Sequence, residues 1–483
     1  MTEPCELPAL EARRLIGARQ LSPRELLDSC IRQIERINPA VNAVTATAFE
    51  RAHTEAAAAE DAVMKGQPLG PLHGLPVGIK DLNETEGLLT TYGSPLYRHH
   101  VPERDESVVR SLRAAGAIVF CKTNVPVFGA GANTSNPVWG ATVNPFDTAR
   151  TCGGSSGGAA VALACNMMPI ASGSDSGGSL RIPAAFCGVV SHRGTAGLVP
   201  TEKHAHGYTT NGVQGPMARS VADTRLMLSV MARFAPDIDP MSFRAQRGAF
   251  ADLEPVDLAT IRAAFSEDLG GATDVDDGIR RTFRDRAERS RSLFARTEQA
   301  APDFTNVREC YWTLRSLMFV SRYRELYENH RDAIGPNVCA NYEAGLELSA
   351  EQIAWALAEQ TKIYRRTQAF FEDHDVLICP AVAVPPFPVE QLYCEAINNK
   401  PLGNYLDWLA LTWIITTPGN PVTCLPCGLD PTGTPFGLQI VAPMQADRRV
   451  LGIAHALEHA FAHDPVTARP LPELGALAAA SGR

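Results

Sequence analysis

What the 483-residue sequence lacks is the first guide to its function. It has no run of basic residues, and 44 lysines and arginines against 53 aspartates and glutamates leave a net charge of −9. A nucleic-acid surface needs a basic stripe to neutralise phosphates, so nucleic acid is excluded as the main partner. No stretch approaches the roughly 18 uncharged apolar residues of a membrane helix. The opening MTEPCELPALEARR does not have the basic-then-apolar order of a secretory signal, so a cytoplasmic protein with no membrane partner is expected. The twelve cysteines are scattered, mostly in apolar runs such as AIVFCK and VLICPA, and read as reduced core thiols. Cys424 and Cys427 form one C-x-x-C on a strand-like run, without the second pair a zinc site requires.

Two local absences are more pointed. Residues 151–188, TCGGSSGGAAVALACNMMPIASGSDSGGSLRIPAAFCG, are dense in glycine and serine and nearly uncharged. No lysine or arginine lies between Thr151 and Leu180, whereas a phosphate loop of the G-x-x-x-x-G-K-[ST] type needs its lysine there. A bare glycine loop can still bind an anion, which keeps a nucleotide-binding protein as a distant alternative. No histidine lies between His100 and His192, so a serine nucleophile in this segment lacks its commonest base. A buried lysine can replace it, because burial disfavours the ammonium and lowers its pKa. Lys80 ends the apolar run GLPVGIK and is either such a base or a strand-end lysine reaching solvent. His455, His459 and His463 share one helical face, as metal ligands would, but Val450, Ile453, Leu457 and Phe461 already account for an amphipathic helix there. No metal and no cofactor are expected.

The 45% apolar and 20% charged content suits a large globular core. SPRELLDSCIRQIERI opens with Ser22 as N-cap, Pro23 in the first turn and Glu25 completing a capping box, and an alanine-rich helix follows near residues 48–64. LPVGIK and AIVFCK read as buried strands around the helix ESVVRSLRAAG, and the alternation continues to Gly188. Strand signals return at VLICPA, PVTCLP and FGLQIVA. This predicts an α/β protein with helices on both faces of a sheet. Residues 1–70 form an N-terminal helical segment, 71–225 a catalytic core and 226–375 a mainly helical insertion. Residues 376–470 bring C-terminal strands and a helix that complete the same domain, and 471–483 are a loose tail.

Four stretches, GLPVGIKD, TNVPVFGAGANTSNPVWGATVNP, CGGSSGGAAVALA and GSDSGGSLRIPAAFCG, resemble the amidase signature family. The likeness continues through GVQGPMARSVAD and is weaker at VTCLPCGLDPTGTPFGLQIVAP, so it is dense over about 70–225 and patchy elsewhere. The resemblance implies a mixed, twisted sheet of about eleven strands between helices, and a Ser-cis-Ser-Lys triad. By position, Lys80 is then the base, Ser155 the bridging serine after a cis Gly154–Ser155 bond, and Ser179 the nucleophile that carries the acyl group. Backbone N–H groups of Ser176, Gly177, Gly178 and Ser179 would face the oxyanion. Gly129 and Ala130 match the family's substrate wall, and Asp175 and Arg181 its buried braces. Ser156 matches a non-catalytic neighbour. A carboxylate beside Lys80 would hold its proton on, so the low local charge matters.

The activity this implies is hydrolysis of small apolar or aryl amides, with esters, anilides or carbamates open to the same chemistry. Aromatic residues gather at Tyr311, Trp312 and Phe319 and at Tyr405, Trp408 and Trp413, either as a pocket for an aryl or acyl group or as plain core. The alternative within the family is a glutaminase similar to the amidase-like component of glutamyl-tRNA amidotransferase, passing ammonia onward within a complex. A homodimer is compatible with the sequence. Two departures, Cys152 before the glycines and Ser191, His192 and Gly194 in SHRGTAGLVP, put loop shape in question rather than the triad.

Overall fold

The computed structural model describes residues 3–246 and 248–482. Eleven strands form one sheet. They are β1 (Val44–Thr47), β2 (Pro76–Lys80), β3 (Ile118–Thr123), β4 (Ile170–Asp175), β5 (Val190–Arg193), β6 (Val213–Ala218), β7 (Arg262–Phe265), β8 (Arg296–Gln299), β9 (Val376–Pro380), β10 (Val422–Leu429) and β11 (Pro435–Val441). Their spatial order is β1-β3-β2-β4-β6-β5-β10-β11-β9-β7-β8. The sheet is mixed: β3, β2 and β4 run parallel, as do β9, β7 and β8, and the intervening pairs are antiparallel. The expected mixed sheet of about eleven strands is therefore present.

Helices enclose this sheet. Those used below are α1 (Pro23–Val41), α2 (Gly157–Ala164), α3 (Arg181–Cys187), α4 (Val307–His330), α5 (Pro336–Leu346), α6 (Ala350–Asp373), α7 (Ala410–Thr416), α8 (Asp447–Phe461) and α9 (Leu474–Ala480). α1 has the capping box read from the sequence, with the Ser22 side chain accepting from Arg24 N–H. Its Leu26, Leu27, Cys30, Ile31, Ile34 and Ile37 are all buried, so one helical stripe pins it to the core. α2 and α3, which follow the two glycine-serine loops, are wholly buried and leave no polar face for solvent.

Two segments differ from the sequence reading. Residues 226–375 are mainly helical but also supply β7 and β8, which extend the sheet past β9 instead of standing outside it. The tail is not loose over its described part: α9 packs on α1 with Leu477 and Ala478 buried. Its GALAAA run is a good helix former, and burying Leu477 holds it down.

Candidate active site

Lys80 is the last residue of β2, at the C-terminal ends of the parallel strands β2 and β4, where open α/β sheets form their crevices. Its backbone N–H donates to Ser172 Oγ at 3.0 Å, locking the strand end to β4. The side chain is fully buried and its Nζ lies 2.8 Å from Ser155 Oγ, 2.8 Å from Ser156 Oγ and 2.9 Å from Ser174 Oγ. The Gly154–Ser155 peptide bond is cis. The strand-end lysine thus turns inward, into the glycine-serine loops, rather than out to solvent.

Burial pushes the Lys80 ammonium down to about 7, against a weaker upward pull from Asp175. That pull modifies the expectation that no carboxylate acts on Lys80. Two features keep it small. Asp81, next in sequence and just past the strand, accepts from the Thr91 N–H and hydroxyl and has Lys122 as its nearby cation. Asp175 is itself neutralised. Burial would raise its pKa, but the Arg181 guanidinium and Arg193 hold it well below the usual carboxylate range.

The Asp175–Arg181 pair is the rigid frame of the second loop. Both side chains are fully buried. Arg181 uses all five N–H groups: Nε and Nη2 reach Asp175 Oδ2 and Oδ1 (3.0 and 2.9 Å), Nη1 reaches the Thr412 carbonyl and Gln439 Oε1, and Nη2 also reaches Thr416 Oγ1. Asp175 in return accepts from Gly178 N–H (2.8 Å) and Leu180 N–H (3.1 Å). The Gly178 N–H is therefore already committed to a carboxylate, unlike the N–H groups of Ser176, Gly177 and Ser179, which have no acceptor among the described residues. The sequence reading counted all four as facing the same way. Asp175 divides them, because its two oxygens take the Gly178 and Leu180 N–H groups of the loop just before α3.

Tyr311 and Thr412 clamp the outer side of this loop. Tyr311 OH donates to the Ser176 carbonyl (3.0 Å) and Thr412 Oγ1 to the Gly177 carbonyl (2.7 Å). The approach is close enough that a Cβ on Gly177 would sit 2.6 Å from Tyr311 Oη, and one on Gly178 2.2 Å from Thr412 Oγ1 at a φ of +120°. Ser179 is half-buried, and its carbonyl accepts from Ser156 N–H (3.1 Å), which ties the two loops together. Gly129, at φ +69°, approaches Ser155 so closely that a Cβ there would lie 3.3 Å from its Oγ.

A cleft of about 120 Å³ opens over Ser174, Asp175 and Ser176. Gly129 lines it, whereas Ala130 lines a separate cleft with Asn337, which donates to the Ala130 carbonyl. The cleft's apolar wall is Leu82, Phe128, Met318, Phe319 and Tyr323. Of the aromatics singled out from the sequence, only Phe319 belongs to that wall. Tyr311 stacks on Trp413 (centroids 4.9 Å, 12° between planes), Trp408 packs against Phe186 and Phe387, and Tyr405 hydrogen-bonds Arg315.

Several residues at the site were not found in the sequence. Ser174 could have been: it alternates with Ser172 along IASGSD, so both face Lys80. Arg315, Thr412 and Arg193 carry no local signal, because distant elements bring them in, and Tyr311, read from the sequence only as a pocket or core aromatic, holds the Ser176 carbonyl instead. The other candidates lie elsewhere. His192 is buried between Thr423 and Asp447, and the histidines on and just after α8 are engaged locally, His455 by Glu458 and His463, two residues past the helix, by the His459 carbonyl. Cys424 and Cys427 are three positions apart on β10, which puts them on opposite faces, and burial pushes both thiols up to about 12. Among the described residues no helix is long and apolar enough to cross a membrane.

The family model for amidases matches residues 25–451. An acylamidase of Rhodococcus erythropolis is 33% identical over 94% of this chain and 95% of its own. A glutamyl-tRNA(Gln) amidotransferase subunit from Acidothermus cellulolyticus is 31% identical over 94% of each chain. The crystal structure of a bacterial aryl acylamidase of the amidase signature enzymes superposes with a TM-score of 0.88, at 26% identity, over 99% of both chains.

Proposed function

Because this chain belongs to the amidase signature family, and is thereby a hydrolase of C–N amide bonds, we propose that it cleaves small apolar or aryl amides through an acyl-enzyme on Ser179. Neutral Lys80 takes a proton from Ser155 as Ser155 takes one from Ser179, and Ser179 Oγ attacks the carbonyl carbon. The N–H groups of Ser176, Gly177 and Ser179 receive the developing oxyanion; losing one such donor typically costs on the order of 10²–10³ in rate. Ser155 then delivers a proton to the leaving nitrogen, without which an amine is a poor leaving group. Water, deprotonated by the same relay, releases the acid.

One observation carries this reading: a fully buried amine, pushed to about 7, lies 2.8 Å from a serine hydroxyl in a loop bonded to Ser179. A neutral amine has two N–H donors and one lone pair. The Ser156 and Ser174 hydroxyls are placed to accept the two N–H groups, which leaves the lone pair for Ser155. The cleft's apolar wall of Leu82, Phe128, Met318, Phe319 and Tyr323 suits a small acyl or aryl group. Likeness to the acylamidase and the aryl acylamidase points the same way.

The test is a panel of aryl, aliphatic, amino-acid and carbamate amides with the Ser179→Ala variant as blank, alongside labelling by a fluorophosphonate. Turnover and labelling, both lost in the variant, support the assignment; labelling that survives in Ser179→Ala refutes it. The 31% identity to an amidotransferase component favours one second reading, a glutaminase that works within a complex. Glutamine hydrolysis exceeding that of every aryl or aliphatic amide in the panel decides for it.

A further inference from the structure

The cleft over the candidate site has one wall made by a single face of α4. Arg315, Met318, Phe319, Arg322 and Tyr323 recur at helical spacing and all line it. Two of the five are arginines, and neither forms an ion pair among the described residues. Arg322 is exposed at the rim. Arg315 is only 6% exposed. A buried cation without a counter-ion is costly, and most buried charges in proteins are paired.

The neighbours of Arg315 are all neutral. Nε donates to Asn341 Oδ1 (3.0 Å), Nη2 to Tyr405 OH (2.8 Å), and Nη1 lies 3.5 Å from Tyr311 OH. The Phe319 ring stands 4.7 Å from the guanidinium. Asn341 is in turn fixed by its own donation to the Asn337 carbonyl and to Tyr405 OH, so the fork is held in one orientation. Three of the five guanidinium N–H groups are used in this way. One remains on each terminal nitrogen, the pair that a carboxylate accepts in two-point recognition. Two other polar atoms lining the same cleft are buried without a partner among the described residues, Ser176 Oγ and Gln214 Oε1. Gln214 is 8% exposed and lies directly opposite Ser174 across the β4–β6 pair.

We propose that Arg315 is a binding residue for a carboxylate on the acyl part of the substrate, so that the preferred substrates are monoamides of dicarboxylic acids or similar anionic acyl groups. The proposal rests on the amidase reading of this site and narrows its substrate class. The acyl side is favoured because Arg315 reaches, through Tyr311 OH, the carbonyl of Ser176 in the loop that faces the scissile carbonyl. The apolar wall at Met318 and Phe319 then packs the methylene segment between the two carbonyl groups. Arg322 at the rim adds positive potential that draws anions in.

The experiment compares matched 4-nitroanilides: succinyl against butyryl, glutaryl against valeryl, adipyl against hexanoyl. In the wild type at least one anionic member exceeds its neutral partner in kcat/KM by on the order of ten- to a hundredfold, the range for a charge-assisted pair. Arg315→Gln and Arg315→Lys collapse that ratio towards one. Inhibition of the wild type by glutarate, stronger than by valeramide, reads the same site without any variant. Neutral members cleaved as well as or better than all anionic ones overturn the proposal and leave the amidase reading standing. So does a ratio that persists in Arg315→Gln, or a preference for a carboxylate on the aniline side alone. Failure of every anilide together with failure of fluorophosphonate labelling overturns the amidase reading itself.

Discussion

Replacing Tyr311 by phenylalanine isolates how the oxyanion loop is aimed. Tyr311 is 1% exposed, and its ring stacks on Trp413, a contact the substitution keeps. Only the hydroxyl is lost, and with it the hydrogen bond to the Ser176 carbonyl at 3.0 Å and the longer 3.5 Å contact from Arg315 Nη1. The Ser176–Gly177 peptide is planar and trans, so its C=O and N–H point in opposite directions. Holding the carbonyl towards Tyr311 therefore turns the Gly177 N–H away from it. The donor itself survives the mutation and only its constraint is removed. The loss should then match one net hydrogen bond, about 0.5–1.5 kcal/mol, and not the roughly 3–4 kcal/mol of a deleted oxyanion donor. Converted to rate, kcat falls about 2- to 12-fold while KM changes less than about twofold. Steady-state release of 4-nitroaniline measures both constants. A boronic-acid analogue of the tetrahedral intermediate should weaken by the same factor as kcat/KM. An unchanged kcat with a raised KM would mean that the hydroxyl contacts substrate and does not aim the loop, and the reasoning would be wrong.

Other outcomes follow from the same geometry. Gly178→Ala should lower kcat/KM more than Gly177→Ala, because its Cβ collides at 2.2 Å and its φ of +120° is closed to alanine; kinetics of the two purified variants decide. Asp175→Asn strands the buried Arg181 and Arg193 cations and should cost about 3–5 kcal/mol of stability in denaturant unfolding. Lys80 has a folded pKa below its unfolded value, so the unfolded chain binds more protons between about pH 7 and 10.5 and its contribution to stability improves as pH rises through that window. Lys80→Met removes this slope, and thermal unfolding of both proteins from pH 7 to 10 should show the wild type gaining relative to the variant.

How much of this was legible in the sequence depends on whether the signal is local. α1 is written in its capping residues and apolar spacing, and β2, β3, β9, β10 and β11 in short apolar runs. Lys80, Ser155, Ser156 and Ser179 lie in stretches that resemble the amidase signature family, and that resemblance, not the residues alone, implied one site before any fold. β8 reads RTEQ and is almost wholly exposed, with no apolar alternation to announce an edge strand. The division of the loop's N–H groups was equally hidden, since it depends on which atoms the Asp175 carboxylate reaches. Tyr311 lies 135 residues from Ser176, whose carbonyl it holds, and Arg315 one helical turn further on; only packing of α4 over the sheet's crevice brings them there. The tail misled for the opposite reason: a composition suited to a frayed end also suits a short helix once α1 offers a surface.

The most direct measurement is the pH dependence of Ser179 acylation by a fluorophosphonate, followed as a second-order rate constant with active-site occupancy read by mass spectrometry. If an uncharged Lys80 drives the relay, the rate climbs through a single ionisation near pH 7 and reaches a plateau above it, and Lys80→Met abolishes the climb. A rate that is flat from about pH 5 to 9, or an ionisation near 7 that persists without the lysine, would contradict the account.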